Sequence, residues 1–330
     1  MERPQLRKIP QILLESLLAI SLSMAANAET RSGFPLMMEI TDPRSLALGG
    51  ANVADLEHIA SVQVNPASSA SGDAGVQATY ARHPADFWIG RIMAANEIGG
   101  YTTGLFLGNY GYGTLNESVS GVGFTGGSFD ASEQLLGGFI AGTVLPGLNW
   151  GVTGKIGWWK IADASAKAGA LDLGLTYNTG WEDLTLGATA RNLGSQWTAS
   201  SGIKSPLSRE FTVGGSRRLR HLPLTLNAAV HFRRSGEGDY EANFLPGNPG
   251  MAFGVGGEFE IQPNGARKPL NLRIGYRSLG KGLRVGQGGD ALAGFAFGMG
   301  LIVRRVSFDY TYAPLGALGD IHRLGVSGTL

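Results

Sequence analysis

The chain has 330 residues with 27 Lys+Arg against 26 Asp+Glu, a net charge of +1, and a mean hydropathy of +0.02. Near-neutrality removes the electrostatic case for nucleic acid as the main partner. The absence of cysteine removes disulfides, thiolate metal sites, thiol catalysis and a lipid-bearing cysteine, and the hydropathy is too low for a bundle of membrane helices. Charged residues make up 16 % against an average near ~25 %, which argues against disorder. The 52 glycines, about twice the usual ~7 % share, ask for backbone that side chains would hinder.

The N-terminus reads MERPQLRKIPQILLESLLAISLSMAANAET, with Arg3, Arg7 and Lys8 ahead of an apolar run over 17–26. About ten residues suit a signal-peptide core and are too few to span a bilayer. Ala26-Asn27-Ala28 supplies a small-x-small cleavage pattern, so 1–28 reads as a signal peptide, with an amphipathic helix as the alternative. Removing it takes away three basic and two acidic side chains and leaves an exported chain that is formally neutral. No later stretch offers 18 consecutive apolar residues to hold that product in an inner membrane.

Residues 29–73 do not alternate. Asp42-Pro43 opens a turn, Gly49-Gly50 permits left-handed backbone, 46–59 is expected as a short helix broken by those glycines, and Asn65-Pro66-Ala67 is a second turn. The apolar content of the segment (Leu46, Leu48, Val53, Ile59, Val62, Val64) favours a packed plug over a loose tail.

From 74 to 330 the chain alternates with period two over lengths near ten residues, as strands with two different faces do. Trp150, Val152, Ile156 and Trp158 oppose Thr153 and Lys155; Leu171, Leu173, Leu175 and Tyr177 oppose Asp172 and Thr176; Leu184, Leu186, Ala188 and Ala190 oppose Thr185, Thr189 and Arg191. Leu224, Leu226, Ala228, Val230 and Phe232 oppose Thr225, Asn227 and His231, while Phe253, Val255 and Phe259 oppose Glu258 and Glu260. Leu270, Leu272, Ile274 and Tyr276 oppose Asn271, Arg273 and Arg277; Val306, Phe308, Tyr310 and Tyr312 oppose Arg305, Ser307 and Asp309; Leu324, Val326 and Leu330 oppose Arg323 and Ser327. Aromatics fall near strand ends, as in Tyr80, Trp88, Trp158, Trp159, Tyr177, Trp181, Tyr310 and Tyr312. Long strands and aromatic girdles point to an all-β, transmembrane antiparallel barrel of about fourteen strands, against the alternative of a soluble β-sandwich or β-helix. Closure is obligatory in lipid, where an open edge would strand unpaired N–H and C=O groups. Glycines within strands, as in GVGG at 254–257 and GFAFGMG at 294–300, mark close approach of another chain segment or bends that let the barrel close.

The signal peptide, Leu46-Ala-Leu-Gly-Gly-Ala51, Asn65-Pro-Ala67 and the long barrel together resemble the FadL-type outer-membrane proteins. That resemblance implies an N-terminal hatch (29–73, with Gly49, Gly50, Asn65, Pro66 and Ala67 as its motif residues) inside a fourteen-stranded barrel (74–330). Gly154-Lys-Ile156, Asp172-Leu-Gly-Leu175, Asn192-Leu-Gly194 and the run YAPLGALGDIHR at 312–323 are more narrowly similar to the PorV/PorQ branch. The resemblance covers essentially the whole mature chain.

No catalytic constellation stands out. His58, His83, His221, His231 and His322 are scattered with no pair at metal-ligand spacing, Asp130-Ala-Ser132 has no partner set, and the glycines of 286–289 read as turns. No metal or cofactor is expected. Lys155, Asp172, Arg191, His231, Glu258, Glu260, Arg273, Arg277, Arg305, Asp309 and Arg323 fall opposite the apolar face, hence toward the lumen. They serve either as ion pairs that brace the barrel and grip the hatch, or as a polar path for solute once the hatch moves; the near-balance of signs supports bracing. Long loops are expected at 194–209, 233–250 and 278–292, and Trp197, Tyr240 and Phe244 are candidate partner-binding or mouth-capping aromatics.

PorV/PorQ similarity implies a non-enzymatic outer-membrane barrel associated with type IX protein secretion, with secretion-machinery or cargo proteins as partners; the lack of the very long apolar loop expected for capturing a fatty acid tilts the reading toward this class, with FadL-like transport as the alternative. FadL similarity implies uptake of a hydrophobic ligand that binds among loop and hatch residues and leaves through a lateral gap between strands. Outer-membrane lipid surrounds the barrel in either case. A barrel of purely structural role is the third class.

Overall fold

The computed structural model describes residues 34–56, 58–70, 74–84, 87–119, 123–200, 202, 204–234, 251–261, 270–278, 292–316 and 319–329. The strands run β1 (Gly75–Arg82), β2 (Trp88–Ile98), β3 (Tyr101–Val119), β4 (Gly123–Leu145), β5 (Leu148–Ile161), β6 (Ala164–Asn178), β7 (Leu184–Ala199), β8 (Arg209–Arg218), β9 (Leu224–Arg234), β10 (Met251–Ile261), β11 (Leu270–Arg277), β12 (Phe295–Val303), β13 (Val306–Pro314) and β14 (Asp320–Thr329). Each pairs antiparallel with its sequence neighbours, and β1 closes on β14 from Gly75↔Thr329 to Arg82↔His322, making one closed barrel of fourteen strands. No described helix is long and apolar enough to cross a membrane.

The alternation has a physical reading. Outward side chains such as Leu105 (68 % exposed), Ile92 (59 %) and Leu324 (55 %) form an apolar wall, which is a surface for lipid tails. Aromatic pairs mark both rims: Tyr80 stacks on Trp88 at one end, with centroids 6.4 Å apart, and Tyr101 meets Trp150 at the other, 6.1 Å apart. The second end carries the short connections, such as 99–100, 146–147 and 304–305; the first carries the longer ones, 200–208, 235–250 and 278–294.

Three expectations shift. Strand β7 runs on to Ala199, so the loop expected at 194–209 shortens to 200–208, and Trp197 lies on a strand. Its ring covers Gly169 on β6, where an added Cβ would come within 2.0 Å of it. Arg305 stands in the exposed two-residue turn between Val303 and Val306, outside the lumen, because the β12–β13 register closes at that pair. The helix falls at Pro43–Ala47 (α1) and not over 46–59, since Asp42 caps it by accepting from Ser45 N at 2.7 Å, Pro43 opens it, and Gly49 and Gly50, at φ +66° and +68°, end it. The residues 1–28, 286–289, Tyr240 and Phe244 lie outside the described residues.

Candidate functional site

Residues 34–56 and 58–70 sit inside the barrel, touching strands all the way round. Gly49 rides on β11, where an added Cβ would lie 2.7 Å from Tyr276 O; facing it, a Cβ at Gly275 would lie 2.3 Å from Gly49 N. The Asn65-Pro66-Ala67 turn docks the same way: Pro66 abuts Gly151 on β5, and the Asn65 side chain occupies the space a Cβ of Gly174 on β6 would need. Fully buried Asn65 caps the 3-10 turn Pro66–Ser69 through Ala67 N, and its amide donates to Val53 O at 2.7 Å and to the strand carbonyl Leu175 O at 3.0 Å. One side chain thus joins two parts of the hatch to the wall.

On the β5–β14 side the hatch is held by charge. Arg44 of α1 donates to Glu258 Oε1 from Nε at 3.0 Å and to Oε2 from a terminal nitrogen at 2.5 Å, and also pairs with Asp55. Glu258 accepts from Arg273 at 2.7 Å, and Arg273 reaches Asp309 at 2.5 Å. Lys155 pairs with Asp172 at 2.8 Å, bonds Asn192, and reaches Met37 O at 3.3 Å. Arg191 donates to Gln63 O at 2.8 Å and Met38 O at 3.0 Å, and Arg323 pairs with Glu39. Lys155, Asp172, Arg191, Glu258, Arg273, Asp309 and Arg323 therefore form two linked groups and two separate anchors, with the hatch between them.

Several partners carried little signal in the sequence. Glu210, which gathers Arg233, Arg191, His231 and Arg277 around it, follows directly on the expected loop. Asn192 sits at φ +58° in a β6–β7 register shift and donates its backbone N–H to Asp172 at 2.7 Å. Hatch electrostatics follow from burial against pairing. Burial pushes the Asp55 carboxyl up, but Arg44, His58 and the Ser61 hydroxyl outweigh it and hold it below the usual range. Burial likewise opposes ionisation of Glu39, and Arg323 and His83 overcome it. Burial, with Arg44 alongside, holds His58 below the usual imidazole range.

On the β2–β4 side most of the inward side chains that meet the hatch are apolar. Ile89 and Met93 of β2, Phe106 of β3, and Leu135 and Phe139 of β4 face Phe34, Leu36 and Met37 of the hatch. The Phe106 and Phe139 rings fill the space that Cβ atoms would need at Gly137 and Gly104 of the neighbouring strands. Toward the loop end this strip meets an aromatic cluster, with Tyr110 and Tyr112 4.5 Å apart and Phe87 5.5 Å from Tyr112. Wall pairing is continuous here: β2–β3 is in register from Trp88↔Gly111 to Ile98↔Tyr101, and the β3–β4 shifts begin only at Gly111/Thr114. The lateral gap that the family resemblance implied is thus absent from β2–β3 and from β3–β4 between Thr102↔Ala141 and Gly111↔Ser132, and the irregular stretch of the β3–β4 ladder lies at 112–113 and beyond, toward the loop end. Outside the same strands lies an apolar depression of about 660 Å³, bordered by Ala94, Leu105, Gly138 and Gly154. Among the described residues no three His, Cys, Asp or Glu side chains come together as a metal site.

No family model and no curated protein matches the chain. Solved structures do. The toluene transporter TodX of Pseudomonas putida superposes with a TM-score of 0.52 at 12 % identity over 92 % of this chain and 98 % of its own. The CymD monoaromatic hydrocarbon channel gives 0.55 at 10 % identity over 88 % and 97 %. A deltaS2 mutant of the TodX monoaromatic hydrocarbon channel gives 0.55 at 12 % over 89 % and 98 %. At such identities the likeness is one of architecture: the chain has the fourteen-stranded fold of FadL-like outer-membrane channels.

Proposed function

We propose that the chain is a non-enzymatic outer-membrane channel for apolar small molecules. The observation that carries this is the one-sided lumen: an apolar strip runs from the Phe87–Tyr110–Tyr112 cluster past Ile89, Met93, Phe106 and Phe139, and is stopped by Phe34, Leu36 and Met37 of the hatch. Apolar surface inside a wall whose outside already meets lipid adds nothing to insertion, whereas it offers a low-energy track to a solute that water rejects. The hydrocarbon cargo named for TodX and CymD supports the same reading.

The PorV/PorQ-like alternative, reception of exported proteins, would depend largely on loops in 235–250 and 279–291, outside the described residues, and no observation favours it over passage. The test is uptake of radiolabelled apolar solutes, aromatic and aliphatic, by cells whose outer membrane carries the protein. Met93→Asp puts a charge on the strip and is expected to abolish the gain over cells lacking the protein. No gain from the unaltered chain, or full uptake by a correctly inserted Met93→Asp, would sink the proposal.

A further inference from the structure

Two ionisable side chains of the apolar strip make no ion-pair contact with any described residue. Arg91 of β2 is 7 % exposed and makes no hydrogen bond or ion pair to any described residue; its guanidinium lies 5.1 Å over the Phe106 ring. Glu133 of β4 is 1 % exposed; one carboxylate oxygen accepts from Leu36 N at 3.1 Å and the other has no partner. Leu36 occupies the ground between them. Its backbone N–H meets Glu133, while its Cδ2 comes within 3.6 Å of the place where a Gly108 Cβ would stand, itself 3.5 Å from Arg91 Nε.

The register fixes how far apart they are rooted. Arg91 pairs with Gly108 and Gly108 with Leu135, so Arg91 and Glu133 stand on strands either side of β3, one inward position out of step. Strand spacing and rise put their Cβ atoms about 12 Å apart, within the combined reach of extended Arg and Glu side chains. Unpaired charge is costly in apolar surroundings; of the carboxylates near Arg91, Glu39 belongs to the hatch and Asp172 is held by Lys155, which leaves Glu133 as the wall carboxylate open to it once the hatch moves. We infer that Arg91 and Glu133 are the two halves of an ion pair that forms when the hatch withdraws Leu36, so that the pair offsets the apolar packing given up on opening. This rests on the lumen being a passage.

The chain has no cysteine, so Met37→Cys, buried in the apolar cluster, places a single thiol on the hatch whose labelling by a membrane-impermeant maleimide reports opening. In that background Arg91→Gln and Glu133→Gln are each expected to slow labelling by ~5-fold, the double variant no further, and the exchange Arg91→Glu with Glu133→Arg to restore it. Glu133→Gln keeps an acceptor for Leu36 N–H; if it speeds labelling, or the two single effects multiply, the ion pair is overturned while the passage stands. Should a neutral variant fail to assemble, Glu133→Asp keeps the charge and shortens the reach. It too must slow labelling, and an unchanged rate overturns the pair. If Met37→Cys labels in none of these proteins, the passage fails and the pair with it.

Discussion

The two sides of the lumen hold the same hatch by different physics. Around β5–β14 the contacts are directional: Arg44 on Glu258, Arg191 on two hatch carbonyls, Lys155 on Asp172 and Met37 O, and Asn65 on Leu175 O. Each fixes a distance and an angle, and a small displacement leaves a buried charge unpaired. Around β2–β4 the contacts are mostly apolar packing, with the Leu36 N–H on Glu133 as the directional exception; such packing has no preferred direction and tolerates sliding or replacement by another apolar body of similar volume. On the proposed passage, the difference makes the charged side the expected hinge and the apolar side the edge expected to lift.

The sharpest way to break that contrast is Glu258→Ala, which strips Arg44 and Arg273 of their shared carboxylate and is expected to cost about 3–5 kcal/mol, read as a lowered thermal unfolding midpoint together with loss of hatch docking. Leu135→Ala on the opposite side should cost about 2–4 kcal/mol, but with an enlarged apolar cavity and faster solute uptake, where the Glu258 variant gives disorder of the hatch. Asn65→Ala leaves Val53 O and Leu175 O without their donor and should lose about 1–3 kcal/mol, seen as faster proteolysis of the hatch in an intact barrel.

Acid has the smallest and most graded effect. His58 is held below its ordinary value, so its contribution is complete above about pH 6.5 and is lost as pH falls through its lower folded value. Asp55 and Glu39 are also held low; their contribution stands above the ordinary carboxylate range near ~4 and is lost only at still lower pH. Proteolysis of the hatch followed across pH should therefore accelerate in two steps, and His58→Gln should remove the first. A single step at the carboxylates in the unaltered chain would refute the role given to His58.

What the sequence made visible follows from contrast between faces. Asp172, Glu258 and Arg273 alternate with Leu171, Phe259 and Leu272, so their inward placement was legible from period two alone. On β2 the inward Ile89 and Met93 alternate with outward Ile92 and Ala94; both faces are apolar, the period carries no contrast, and the lumen strip was invisible. Trp197 was misplaced because the bulge at Asn192 resets the alternation just before it. The α1 boundaries were written in local chemistry, Asp42 before Pro43 with Ser45 three residues on, but the apolar run from Leu46 outweighed it.

The strand glycines beneath the hatch carry one more consequence. Where Gly151 and Gly174 on β5 and β6, and Gly256 and Gly275 on β10 and β11, receive the hatch, its removal would bare peptide groups with no side chains to shield them, and peptide dipoles draw water. The neighbouring strip of Phe106 and Phe139 on β3 and β4 would stay dry. An emptied barrel would then have two parallel lanes, one wetted along its bare peptide floor and one oily, so that a greasy cargo could descend beside a thread of water and not through it.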